Sequence, residues 1–165
     1  MTMMQALTAP GRAPEIPEEH DVYGWLIGSW QLDVIRYLTD VRDRKIKGEV
    51  HFGWVLEGRA VQDVWIMKAE NVMSTYGTTF RMWDPSIQAW RVTWTNPITG
   101  RRNELIGRRH GNDLVQIGTH SDGTPIRWIF TDITPDSFRW LGEALDHDGA
   151  TWKREAEFHC RRMSA

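Results

Sequence analysis

Gly28-Ser29-Trp30-Gln31-Leu32-Asp33-Val34 is the stretch that decides the fold. Trp30, Leu32 and Val34 take every second place, with Gln31 and Asp33 between them. That is the pattern of a strand with one face buried and the other in water. The same period returns in Val50, Phe52, Trp54 and Leu56, set between Glu49, His51 and Glu57. It returns again in Trp90, Val92 and Trp94, and in Ala156, Phe158 and Cys160 between Glu155, Glu157 and His159. The chain has ten tryptophans, and all but Trp25 fall at or inside short alternating segments.

Turn chemistry separates these segments. Glu57-Gly58, Asp84-Pro85, Asn96-Pro97 through Gly100, and His110-Gly111-Asn112-Asp113 are followed by Ser121-Asp122-Gly123, Thr134-Pro135-Asp136 and Asp146-His147-Asp148-Gly149. Each supplies a proline, a glycine or an Asx residue that can bond its own backbone. Counting between them predicts about ten strands at hairpin spacing. No long helical pattern intervenes to build βαβ units. A meander of this length removes its edges most simply by closing, so the expected fold is all-β: a closed up-and-down antiparallel barrel of about 8–10 strands.

Residues 1–17 carry Pro10, Gly11, Pro14 and Pro17 with little periodicity, and read as a flexible N-terminal arm. Glu18, Glu19 and Asp21 then lead into Val22, Tyr23, Trp25, Leu26 and Ile27, as suits a short helix or 3₁₀ turn. Residues 18–165 form the single expected domain, long enough to bury a sizeable core. Twenty Lys and Arg against twenty-two Asp and Glu give a net charge of -2. That balance lacks the basic field of a nucleic-acid-binding domain. A lone cysteine, Cys160, forms no internal disulfide, the N-terminus lacks a secretory pattern, and no apolar run is long enough to span a membrane. A cytoplasmic protein is the expectation.

The strand ends are informative. Arg162 has the parity of Trp152, Ala156, Phe158 and Cys160, so it should point inward beside Trp30 once first and last strands meet. The two would then stack and plug one end of the barrel, with Arg161 taking that place if a bulge shifts the parity. A Gly-x-Trp opening strand with an arginine near the end of the closing strand resembles the calycin superfamily, which includes lipocalins and fatty-acid-binding proteins. Residues 74 to 163 also resemble a bacterial lipocalin-like family of unknown function. That likeness is carried by Gly77-Thr78-Thr79-Phe80-Arg81-Met82-Trp83-Asp84-Pro85, Trp90, Trp94, Arg127 through Asp132, Ser137-Phe138-Arg139-Trp140 and Asp148-Gly149-x-Thr151-Trp152. The resemblance implies a barrel that takes up a ligand. It carries no catalytic residues with it.

Parity places Arg36 with Leu32, Val34 and Leu38, and Gln62 with Val64 and Ile66, on apparently inward faces. Arg81, Glu104, Arg127 and Glu143 lie in segments that alternate poorly. A charge inside a small barrel needs a counter-charge or a ligand. Arg81 or Arg127 would thus hold a carboxylate or enolate, with Glu143 as acid or base; the structural alternative is an Arg–Glu pair bracing the wall. Trp54, Trp90, Trp94 and Trp140 share apolar faces, and either line a partly open cavity or fill the interior.

No metal site is expected, since the histidines lack close ligand spacing and His159 and Cys160, adjacent in a strand, face opposite sides. Barrels resembling nitrobindin hold haem through a late-strand histidine, but His159 has outward parity, so no cofactor is expected. There is neither a Gly-x-Ser-x-Gly elbow nor a glycine-rich phosphate loop. Arg101, Arg102, Arg108 and Arg109 flank one strand as a solvated edge, an anion gate or a partner patch. The expected partner is a small hydrophobic molecule, with an anionic group as an option, and a homodimer is left open. The rival reading is a cofactor-independent lyase, isomerase or cyclase acting on an apolar substrate in the same cavity.

Overall fold

The structure, a computed structural model, describes residues 1–69 and 73–164. A short helix α1 (Met3–Leu7) and strand β1 (Thr8–Ala9) precede β2 (Gly28–Tyr37), β3 (Thr39–Asp40), β4 (Lys47–Val55), β5 (Ala60–Ala69) and β6 (Met73–Asp84). There follow β7 (Ala89–Asn96), β8 (Arg101–His110), β9 (Asp113–Thr119), β10 (Pro125–Thr131), β11 (Ser137–Leu145) and β12 (Trp152–Arg162). Among the described residues β2 and β4 to β12 form a closed antiparallel barrel of ten strands. The seam closes where β12 pairs with β2, with Arg162 opposite Trp30 and Cys160 opposite Leu32. This architecture is consistent with the calycin-like fold that the sequence suggests.

The alternating segments are the barrel wall. Trp30, Leu32, Val34, Val50, Phe52, Trp90, Val92, Phe158 and Cys160 are all buried. Successive side chains leave a strand on opposite faces, so each such run supplies one inward ridge. The Asx turns close the hairpins as expected. Asn96 Oδ1 accepts from the backbone of Ile98, and Asp148 Oδ1 from those of Ala150 and Thr151.

The barrel has a floor and a mouth. At the floor the Arg162 guanidinium lies 4.1 Å from the Trp30 ring. It donates to the carbonyls of Trp25, Ile27 and Pro135 at 2.7, 2.9 and 2.9 Å. Gly28 sits here at φ 124°, where a Cβ would also press on Arg162 Nη1 at 3.0 Å. Two 3₁₀ turns, Glu18–His20 and Gly24–Leu26, carry Tyr23 and Leu26 into the floor, where both are fully buried.

Part of the N-terminal segment lies against the barrel, although helix α1 itself buries no residue. Helix α1 is closed by a Thr2–Gln5 capping box, and β1 pairs with the end of β4, Ala9 opposite Trp54. Ala13 N donates to Gly58 O at 2.9 Å, and Ala13 and Ile16 are buried. The reason lies in Gly58, at φ 82°, whose missing Cβ leaves room for the backbone of Gly11 to Ala13. Pro14 lies in a turn here, closed by Ile16 N donating to Ala13 O at 3.1 Å.

Candidate functional site

Buried side chains, among them Tyr23, Leu26, Trp30, Trp90 and Phe130, occupy the floor half of the barrel, whereas the mouth half encloses a cavity of about 230 Å³. Its apolar wall is built by Trp65 and Met67 from β5, Trp94 from β7, Trp128 from β10, Trp140 from β11 and Phe158 from β12. Trp140 stacks on Phe158 with ring centroids 5.1 Å apart, and Trp128 stands perpendicular to Trp94 at 6.0 Å. These rings hold one another, so the wall is stiff before any ligand arrives.

Arg81 borders the cavity from β6 and is only 1% exposed. Its Nη1 donates to Asp63 Oδ2 at 2.6 Å and its Nε to Gln116 Oε1 at 3.1 Å. Asp63 Oδ1 accepts from the Thr79 backbone at 2.7 Å, and Tyr23 Oη donates to Gln116 Oε1 at 3.0 Å. The rings of Tyr23, Phe52 and Phe130 box the guanidinium at 5.1 to 5.8 Å. Burial pushes the Tyr23 phenol well above its ordinary range, so it remains a neutral donor. Asp63 therefore neutralises a cation that could not otherwise be buried. Among the described residues Arg81 Nη2 has no acceptor and Gln116 Nε2 is buried without a partner. Of the two, Arg81 borders the cavity and Gln116 lies behind it.

The mouth is polar. Tyr37, Arg101, Asn103, His120 and Glu155 line it. His120 Nε2 lies 3.1 Å from Glu155 Oε2, and Asn103 Nδ2 lies 3.4 Å from His120 Nδ1. Two bulges create this rim. In the ladder between β12 and β2 the extra residue is Ile35, and in that between β11 and β12 it is Glu155. A bulge shifts side-chain parity by one, so Tyr37 and Glu155 both turn inward.

Of the sequence-predicted site residues, Arg81, Trp94 and Trp140 meet in the cavity. Trp54 and Trp90 point inward but lie in the packed floor half, Trp90 Nε1 donating to His20 O at 2.8 Å. Arg36 is corrected: the Ile35 bulge turns it to the outer face opposite Glu157, where it donates to Leu38 O. Arg127 and Glu143 are corrected likewise. They pair across β10 and β11 on the outer wall, Nε to Oε1 at 2.8 Å, with Arg127 lying 4.3 Å from the Trp152 ring. Their neighbours Trp128 and Gly142 hold the inward positions. This is the bracing pair named above as the structural alternative, and neither residue lines the cavity.

Gln62, Val64 and Ile66 form the outer face of β5, because Asp63, Trp65 and Met67 take the buried one. Glu104 is exposed beside Arg102. The residues that sequence reasoning missed are Trp65, Trp128 and Phe158 in the wall and Tyr37, His120 and Glu155 at the rim. Trp65 had a usable signal, since it is the bulkiest side chain in a run apolar on both faces. Glu155 had none, because its alternation with Ala156 and Phe158 points it outward until the bulge intervenes. No family model matches the chain, and no curated protein matches it.

Proposed function

We propose that this barrel binds a small, flat, largely apolar molecule at the mouth end, with a hydrogen-bond acceptor directed at Arg81. The observation that carries the reading is the cavity, walled by four indoles and bordered by a buried guanidinium with unused donors. An apolar cavity of about 150 Å³ accepts benzene, so about 230 Å³ suits a substituted ring or a fused bicycle. Because Asp63 already balances Arg81, a neutral carbonyl or phenol oxygen fits better than a full carboxylate. The calycin resemblance leads to the same expectation of a held ligand.

Tryptophan fluorescence titration tests this with indole, 2-naphthol, 1-indanone and a medium-chain fatty acid as probes. Saturable quenching by the planar compounds is expected, with weaker response to the fatty acid. Ala156→Phe, which fills the cavity from β12, should abolish the response while leaving the β-sheet circular dichroism intact. Absence of saturable quenching across the panel, or unchanged binding by A156F, rejects the reading.

A further inference from the structure

We infer that the mouth of the cavity is a proton-transfer site, in which His120, oriented by Glu155, moves a proton on the carbon next to a ligand carbonyl. This rests on the ligand-binding reading and goes beyond it to a reaction and a substrate class: flat, enolisable ketones.

Construction of the rim supports it. A bulge brings Glu155 to the cavity against the parity of its own strand, and a second bulge on the neighbouring strand brings in Tyr37. Bulges recur beside active sites because they re-aim single side chains. Glu155 meets His120 through both carboxylate oxygens, Oε2 at 3.1 Å and Oε1 at 3.4 Å. An imidazole held this way keeps its proton on Nε2 and presents Nδ1 as the base. Among the described residues only Asn103 faces Nδ1, at 3.4 Å, and its amide also donates to Thr119 O at 3.2 Å. So long a contact is readily exchanged for a substrate C–H. His120 and Glu155 retain about a quarter to a third of their side-chain exposure, enough to trade protons with water. Indole walls surround the rest of the chamber, and Arg81 borders the same space.

The step balances without a cofactor. His120 Nδ1 takes the α-proton, the C–H electron pair becomes the carbon–carbon double bond, and the carbonyl π pair moves to oxygen. The resulting enolate oxygen is stabilised by the free Arg81 donors. Return of a proton from the imidazolium to the same carbon exchanges it with solvent. Return to a conjugated carbon isomerises the ketone.

The test is α-deuteration of 1-indanone and 2-indanone in D2O, followed by NMR against buffer alone, with tryptophan quenching measured on the same samples. Wild type should accelerate exchange. His120→Gln and Glu155→Gln should each reduce that acceleration by roughly a hundredfold at ketone concentrations that saturate each variant's quenching. Ketones that quench fluorescence but exchange no faster than in buffer overturn the proton-transfer site and leave the binding reading standing. Exchange undiminished in both variants overturns it equally. Ketones that fail to quench at all overturn the binding reading, and this inference with it.

Discussion

Asp63→Asn isolates the buried ion pair on which the cavity floor depends. Arg81 Nη1 and Asp63 Oδ2 are 2.6 Å apart, and their side chains are 2% and 0% exposed. An asparagine keeps the shape and removes the charge. If its amide oxygen stays on the Thr79 backbone, its nitrogen faces Nη1, donor against donor; if it flips, the Thr79 N–H loses its acceptor. Either way the guanidinium is left unbalanced among three aromatic rings. Removing one partner of such a pair costs about 3–5 kcal/mol, against a typical domain stability of about 5–15 kcal/mol. At roughly 2–4 °C per kcal/mol for a chain of this size, the melting temperature should fall by about 6–20 °C. The double variant D63L/R81M removes both charges and should recover most of that loss, since apolar replacement of a whole pair is often close to neutral. Urea unfolding of the wild type, D63L, R81M and the double supplies the cycle, with D63N measured beside it. A cost for D63N below about 1 kcal/mol, or a double variant no more stable than D63N, would refute the reasoning.

Three further outcomes follow from the geometry. Glu143→Gln should lower stability by about 1–3 kcal/mol by loosening Arg127, yet leave the fluorescence response to planar ligands unchanged; a lost response would return Glu143 to the cavity. Gly107→Ala directs a methyl into Tyr23 Oη and away from room for it. Overpacking of this kind costs about 1–3 kcal/mol, measurable by urea unfolding, and the tyrosine's bond to Gln116 should break with it. Asp148 is held down to about 2, first by the Thr151 hydroxyl and then by the backbone N–H groups of Thr151 and Ala150. Its folded value lies below its unfolded value, so its contribution is complete above about pH 4 and disappears as pH falls toward 2. D148N should therefore show a shallower loss of stability over that interval than wild type, read from denaturant midpoints at each pH.

The barrel was legible because its signals are local and redundant. Alternation at Trp30 to Val34 and at Val50 to Trp54 settled which face is buried, and the Asx turns between them set the meander. The Trp30–Arg162 contact followed from parity on two strands plus closure. The candidate site was less legible, for a definite reason. Parity propagates along a strand only until the register slips, and two slips fall at the mouth. Ile35 sends Arg36 out and Tyr37 in, and Glu155 escapes the outward face that its neighbours predict. In β5 and β10 both faces are apolar, so hydrophobicity alone left the phase undetermined. There Trp65 and Trp128 went unassigned, and Arg127 was set against the wrong side of the wall.

The seam also governs how this protein comes into being. Arg162 reaches the Ile27 carbonyl across 135 residues of chain, so the circle of strands stays open until β12 has been made. A nascent chain halted before β12 presents two raw sheet edges, at β2 and β11, each able to recruit a stranger. Such distant pairing is slow to form. It is before β12 arrives, rather than in the finished molecule, that a chaperone has most to protect.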